Sequence, residues 1–182
     1  MRLFIGFFTP LEVEEVKKRV EKLKIEGRWT EEANLHITLK FLGEVERERA
    51  EQMASFLKKK LSRVKPFSLS FKGLGIFERG GRPQILWAGV ERKEELLSLK
   101  RAVEEACAPF GFRREEIEGF KPHITLLRIK KLRRRELLKR LIQEMREKEF
   151  GAIRVEKVYL VKSTLTPDGP IYEPIEEFKV GS

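Results

Sequence analysis

The sequence contains very few of the residues that build metal sites and covalent cross-links. It has one cysteine, Cys107, and two histidines, His36 and His123. A single cysteine excludes an intramolecular disulfide and fits a reducing compartment, so we expect a cytoplasmic protein. Because two histidines and one distant cysteine would make a poor metal site, we also predict that the protein uses no metal and no other cofactor.

Other absences exclude a membrane anchor and a phosphate-cradling loop. No apolar run approaches the roughly 20 residues that cross a bilayer, and the apolar opening segment MRLFIGFFTP has no small-residue cleavage site. Gly73 and Gly75 lack a third glycine three residues further on, so they do not form a dinucleotide fingerprint. No low-complexity linker interrupts the chain. We therefore expect one domain, residues 1–182, made of two closely packed lobes.

Charged residues, in contrast, are abundant and unbalanced. They make up 37% of the 182 residues, and 39 Lys and Arg face 29 Asp and Glu, which gives a net charge of +10. The high charged fraction favours a thermophilic source. The positive excess attracts polyanions, so a nucleic acid is the first candidate partner. The densest basic segment, residues 128–140, would either follow an RNA backbone or form a solvated helix surface.

Strand and helix patterns alternate along the chain, and the turns ERGGRP and TPDGP each indicate a hairpin. This order favours an α+β fold with antiparallel sheets over a doubly wound parallel sheet. The first helix is predicted to start near Thr9 and Pro10, with Thr9 as its N-cap, and to end near Lys24. One continuous strand is predicted over residues 153–163.

Both histidines lie in the same tetrapeptide, His-Ile-Thr-Leu, at residues 36–39 and 123–126. The two copies are about half the chain apart, and each has a helix pattern before it and another after it. This spacing predicts an internal duplication. Two lobes related by a pseudo-twofold axis would bring the two copies together across a central cleft.

Each tetrapeptide presents an imidazole and a hydroxyl to the same side of its strand. Alternation along a strand places His36 with Thr38, and His123 with Thr125. Facing strands would then surround one phosphate with two imidazoles, which exchange protons near neutral pH, and two hydroxyls, which bond its oxygens. A lone histidine in an apolar strand is usually a core residue. Two copies that use every histidine favour catalysis instead.

Further residues near the motifs are candidates for binding a substrate. Arg128 could clamp a phosphate, but strict alternation puts it opposite His123, so it needs a bulge or twist to reach the site. Lys40 has the alternation of His36 and is either part of the site or a surface charge. Aromatic side chains that could stack on a base are Phe8, Trp87 and Tyr172.

The paired motifs resemble those of the two-histidine phosphoesterase superfamily, which is defined by two His-x-Thr-x motifs. More closely, the sequence is similar to the RNA 2′,3′-cyclic phosphodiesterases, formerly called 2′-5′ RNA ligases. The similarity covers nearly the whole chain and follows the same order. Its segments are RLFIGFFTP, RWTEEANLHITLKFLGEV, GLGIFERGGRPQILWAGV, GFKPHITLLRIK and STLTPDGPIYEPIEEF.

The resemblance implies a bilobal α+β fold and hydrolysis of an RNA 2′,3′-cyclic phosphate end to a 2′-phosphomonoester. It implies that His36 is the proton donor and His123 the proton acceptor, with Thr38 and Thr125 holding the phosphate. Arg128 stands where the family often has arginine. Two alternatives stay open: 2′-5′ joining of RNA halves, such as tRNA halves, as the main activity, and a nonenzymatic module that binds RNA ends. A monomer is expected.

Overall fold

The computed structural model describes residues 1–181, which form nine strands and four α-helices. The strands are β1 (Arg2–Phe8), β2 (Glu26–Trp29), β3 (His36–Glu44), β4 (Phe67–Arg79), β5 (Arg82–Val90), β6 (His123–Lys131), β7 (Glu149–Val155), β8 (Lys157–Thr166) and β9 (Gly169–Lys179). The helices are α1 (Glu14–Glu21), α2 (Arg47–Leu61), α3 (Glu94–Cys107) and α4 (Arg135–Glu144). Within residues 1–181, no helix has the length and apolar character that crossing a membrane requires.

The strands form two antiparallel sheets, and each sheet carries one copy of the His-Ile-Thr-Leu motif. The first sheet has the order β3-β1-β8-β9, and the second has the order β2-β6-β5-β4-β7. Helices α2 and α3 pack against each other, α3 also lies against β3, and α4 lies against β4. The predicted α+β fold with antiparallel sheets is confirmed, as are the helices on either side of each motif.

The two sheets exchange strands between the halves of the chain. In the first sheet β1 lies between β3 and β8, and in the second sheet β5 lies between β6 and β4. The chain passes from β7 in the second sheet to β8 in the first at Glu156. The prediction of one strand over residues 153–163 was therefore wrong. No glycine or proline marks this crossing, so the sequence pattern runs through it without a break.

The segment before α1 is held by tertiary contacts and does not cap a helix. Helix α1 begins at Glu14, and its N-terminus has no side-chain cap. Thr9 is buried, its N–H donates to the Leu35 carbonyl, and the Glu12 N–H donates to the Phe150 carbonyl. The predicted Thr9 cap was wrong because these backbone bonds to other parts of the fold hold the segment outside the helix. The short polar strand β2, which pairs with β6, was not predicted.

Candidate active site

A matching β-bulge follows the histidine in both motif strands. In β3, Thr38 faces Gly6 while Lys40 faces Ile5, so Leu39 is the extra residue. In β6, Thr125 faces Trp87 while Leu127 faces Leu86, so Leu126 is the extra residue. A bulge of this kind reverses the alternation of the residues that follow it. The order of buried, half-buried and exposed positions is accordingly identical along the two nine-residue strands.

The bulges decide which predicted residues reach the site. The bulge at Leu126 places Arg128 on the same face of β6 as His123. The sequence predicted that Arg128 would reach the site only if such a bulge or a twist were present. Lys40, in contrast, turns away from His36 and into the interior. The alternation inferred for Lys40 was wrong, and so was the alternative of a surface charge, because Lys40 is buried.

Both motifs line one pocket of about 240 Å³. The pocket collects six of the nine residues that the sequence proposed for the site: His36, Thr38, His123, Thr125, Arg128 and Tyr172. Residues 28–31 of β2 and the loop after it form one wall, and the turn between β8 and β9 forms another. The arrangement thus brings two imidazoles, two hydroxyls and a guanidinium around one small volume.

Backbone hydrogen bonds fix the same tautomer in both imidazoles. Nδ1 of His36 lies 2.6 Å from the carbonyl oxygen of Asn34, and Nδ1 of His123 lies 2.8 Å from that of Lys121. A carbonyl oxygen only accepts, so Nδ1 carries the hydrogen in each ring. Nε2 is therefore the nitrogen that gains or loses a proton. Each ring can act as an acid or as a base at that atom.

Aromatic side chains hold the two rings in place. Phe4 stacks on His36 with ring centres 4.9 Å apart, and Tyr172 contacts the same ring edge-on at 5.1 Å. Phe77 contacts His123 edge-on at 4.7 Å. Phe8 and Trp87, predicted as possible stacking residues, also pack near these rings but do not line the pocket. Tyr172 both packs against His36 and lines the pocket, so it is the one of these three aromatic residues that a ligand in the pocket can touch.

Burial and positive charge favour the neutral form of both imidazoles. Burial lowers the pKa of His36; the hydrogen bond to Asn34 opposes this, and the charges of His123 and Arg128 reinforce it. Burial likewise lowers the pKa of His123, opposed by the bond to Lys121 and reinforced by Arg128. Neutral imidazoles are poised to accept a proton, and a bound anion would favour the protonated form of either one.

Two side chains that the sequence reading missed tie the pocket walls together. The Arg28 guanidinium donates to the Pro167 carbonyl at 2.8 Å, and the Asn34 amide donates to the Pro170 carbonyl at 3.5 Å. Phe41, also missed, lines the pocket beside Thr38. The internal repeat carried a signal for it, because Phe41 follows His36 by the same five positions that separate Arg128 from His123.

A buried ionic network supports the bulge in β3. Lys40, Lys100 and Glu104 are 3%, 1% and 2% exposed, and the Glu104 carboxylate accepts from both ammonium groups at 2.9–3.0 Å. Lys100 also donates to the carbonyl of the bulge residue Leu39 at 2.7 Å. Although burial raises the pKa of Glu104, hydrogen bonds from the Glu115 amide and the two lysines hold it below its ordinary value. The network fixes β3 against α3.

Replacement of Glu104 by glutamine is expected to lower the free energy of unfolding by about 3 kcal/mol, since it leaves two buried ammonium groups with only the half-exposed Glu115 as a shared carboxylate. Urea denaturation measures the change. Glu105→Gln is the matched control on the same helix, because the Glu105 pair with Lys60 is partly exposed and should cost less than about 1 kcal/mol. Equal losses in the two variants would contradict a stabilising role for the buried network.

Within residues 1–181, neither a reactive thiol nor a grouped set of metal ligands adds to the chemistry of the pocket. Burial raises the pKa of the Cys107 thiol to about 12, so it stays protonated at neutral pH. Across residues 1–181, no three His, Cys, Asp or Glu side chains are grouped to hold a metal ion. That the protein uses no metal stays a prediction, which activity in the presence of a chelator tests.

Comparisons with known proteins agree with the resemblance seen in the motifs. A family model described as the 2′-5′ RNA ligase superfamily matches residues 10–166. The RNA 2′,3′-cyclic phosphodiesterase of Aquifex aeolicus is 40% identical over 185 residues, covering 100% of this chain and 98% of the relative. The RNA 2′,3′-cyclic phosphodiesterase of Methanocaldococcus jannaschii is 34% identical, covering 98% of this chain and 100% of the relative. The crystal structure of TT0787 of Thermus thermophilus superposes with a TM-score of 0.73 at 31% identity, covering 99% and 98%.

Proposed function

The chain belongs to the 2′-5′ RNA ligase superfamily, and on that premise we propose that it hydrolyses RNA 2′,3′-cyclic phosphate ends to 2′-phosphomonoesters. One structural observation supports this activity in addition to the membership of the superfamily. Two imidazoles, each with Nδ1 bonded to a backbone carbonyl and Nε2 available, line one pocket with two threonines and an arginine. We further propose that residues 1–182 act as one domain of two lobes, each supplying one motif.

The reaction needs one proton removed and one proton delivered. A water molecule attacks phosphorus in line with the 3′-oxygen, and Nε2 of His123 takes the proton that the water loses. The bond between phosphorus and the 3′-oxygen breaks, and Nε2 of His36 gives that oxygen a proton. The products are a 3′-hydroxyl and a 2′-phosphomonoester. Each proton transfer accelerates the step by roughly 10²–10⁴-fold.

The donor and acceptor roles follow the family resemblance, and the surroundings of the two rings support them. The bond between His123 and Lys121 is exposed, whereas that between His36 and Asn34 is partly buried. Water therefore has easier access to the His123 side, where it must be activated. His36 is enclosed by Phe4 and Tyr172, which shield its proton from solvent before transfer.

Thr38, Thr125 and Arg128 stabilise the charge that develops on the phosphate in the transition state. The two hydroxyls donate to nonbridging oxygens, and the guanidinium adds a positive charge and further donors. Tyr172 offers a half-buried ring beside His36 for contact with the sugar or base. None of these contributions involves a change in the covalent structure of the protein.

The product of a 2′,3′-cyclic mononucleotide tests this function. We expect hydrolysis in the presence of a chelator, with the phosphate retained on the 2′-oxygen, because the acid protonates the 3′-oxygen. Phosphorus NMR or chromatography against both isomers measures the product. A 3′-phosphate product, or activity that disappears with the chelator and returns with a divalent ion, would contradict the mechanism.

The joining of RNA ends through a 2′-5′ linkage uses the same groups, with a 5′-hydroxyl in place of water. The superfamily description supports it as the second candidate activity. Matched RNA ends, with and without a 5′-hydroxyl partner, allow the two rates to be compared. We propose hydrolysis as the main activity, so negligible joining is the expected result.

The expected partner and setting follow from the same chemistry. We propose an RNA that ends in a 2′,3′-cyclic phosphate as the substrate, since the net positive charge favours a polyanion. A monomer supplies both motifs of the pocket, so no second copy is needed. The single buried cysteine fits the cytoplasm.

A further inference from the structure

A second cavity opens directly beside the catalytic pocket. Its volume is about 890 Å³, and it shares Thr38, Phe41 and His123 with the pocket. Residues 112–121, between α3 and β6, form its far wall. We call this cavity the entry groove. The shared side chains show that the two cavities lie next to each other, on either side of Thr38, Phe41 and His123.

The two volumes indicate that the pocket and the entry groove hold different parts of the substrate. At about 240 Å³, the pocket lies below the roughly 300–1,000 Å³ that is typical of sites for whole small ligands. It suits a cyclic phosphate and its ribose, but not a longer piece of RNA. The entry groove lies within that range and has room for the nucleotide that precedes the cyclic end.

The lining of the entry groove has the chemistry that single-stranded RNA requires. Arg113, Arg114 and Lys121 are exposed, and within residues 1–181 none of the three forms an ion pair. Of the acidic lining residues, Glu115 is bound by Lys40 and Lys100, which leaves Glu116 and an excess of positive charge. Exposed cations of this kind bind phosphates without reading the base sequence.

Aromatic rings accompany these cations. Phe41 is 63% exposed and stands at the boundary between the pocket and the entry groove. Phe77 and Phe112 line the entry groove and are half-buried. An exposed phenylalanine has no packing reason to face solvent, whereas a base can stack on it. Stacking platforms beside phosphate-binding cations are the usual design of a surface for unpaired RNA.

We propose that the entry groove binds the nucleotide immediately 5′ of the cyclic end, with its phosphate between Arg113 and Arg114 and its base against the exposed ring of Phe41. The proposal rests on the proposed hydrolase function and specifies its substrate as an RNA chain with an unpaired end. The enzyme then prefers a cyclic-phosphate oligonucleotide to a cyclic mononucleotide. The preference weakens as salt rises, because phosphate contacts release counterions.

The test compares kcat/KM for a short single-stranded RNA ending in a 2′,3′-cyclic phosphate with kcat/KM for the matching mononucleotide. In the double variant Arg113→Gln/Arg114→Gln, the ratio of the two values should fall roughly tenfold, as expected for two lost phosphate contacts. The salt dependence for the RNA should also weaken, by about 0.7 in the slope of log kcat/KM against log salt, because one phosphate is no longer neutralised. The mononucleotide rate reports whether the variant is folded.

The control Lys58→Gln/Lys59→Gln removes the same charge from exposed positions on α2 that line neither cavity. A second control, Arg133→Gln/Arg135→Gln, removes the same charge from exposed positions in the basic segment 128–140. An equal fall in either of these, or an unchanged ratio in Arg113→Gln/Arg114→Gln, overturns the entry groove as the RNA site. Failure of the native chain to hydrolyse either substrate would contradict the proposed function instead.

Discussion

Replacement of either His36 or His123 by alanine is expected to lower kcat for a 2′,3′-cyclic mononucleotide by about 10²–10⁴-fold. Each imidazole presents Nε2 to the pocket because its Nδ1 is bonded to a backbone carbonyl. Alanine removes that proton carrier and leaves the carbonyl to water. Since the two rings serve one step, the double variant should lose less than the product of the single losses. Steady-state rates with a chelator present measure all three variants.

The pH dependence of the residual activity distinguishes the two roles. Without the acceptor His123, the limb at low pH should disappear, because that limb reports deprotonation of the base. Without the donor His36, the limb at high pH should disappear. If the His123 variant lost the limb at high pH and the His36 variant lost the limb at low pH, the donor and acceptor roles would be reversed, but the two-histidine mechanism would stand. Wild-type kcat in both single variants, with native thermal unfolding, would show that the imidazoles do not transfer protons.

Replacement of Arg128 by glutamine is expected to lower kcat/KM by about 10²-fold and to move the pH profile. The guanidinium lines the pocket, and its loss removes charge stabilisation at the phosphate. Its positive charge also contributes to the lowered pKa of both histidines. In the native protein both limbs of the kcat/KM profile should lie below the ordinary imidazole value of about 6.5. In Arg128→Gln both should shift to higher pH.

The shift in pH separates an electrostatic role from a structural one. Arg128→Lys keeps the charge but loses the forked donors, so it should retain the native limbs while recovering only part of kcat/KM. Arg133→Gln is the matched control, because it removes one charge from an exposed position outside the pocket. Lower activity in Arg128→Gln with unmoved limbs would mean that the side chain only supports the fold.

The sequence predicted those parts of the molecule that local patterns encode. The alternation in each motif strand identified His36 with Thr38 and His123 with Thr125, and the two turn signals identified the antiparallel sheets. The duplication also indicated that distant strands would share one pocket. These inferences depend on a period of two residues and on turn chemistry, both of which are visible within about ten residues.

The parts that were missed depend on long-range contacts. No local pattern marks the extra residue at Leu39, so Lys40 was placed on the wrong face and its contacts with Glu104 were unseen. The exposure of Phe41 follows from the same bulge. The crossing at Glu156 lacks a turn residue, because β7 and β8 stay extended while they join different sheets. Only the partner strands reveal these features.

The exchange of strands between the halves also sets how far apart along the chain the paired strands of each sheet lie. All five strands of the sheet that holds His123 lie between Glu26 and Val155. The sheet that holds His36 instead joins β1 to β8, which begin at Arg2 and Lys157. The pairing of β1 with β8 therefore closes the longest loop of any strand pair in residues 1–181, so the half of the pocket that holds His36 costs more chain entropy to assemble than the half that holds His123.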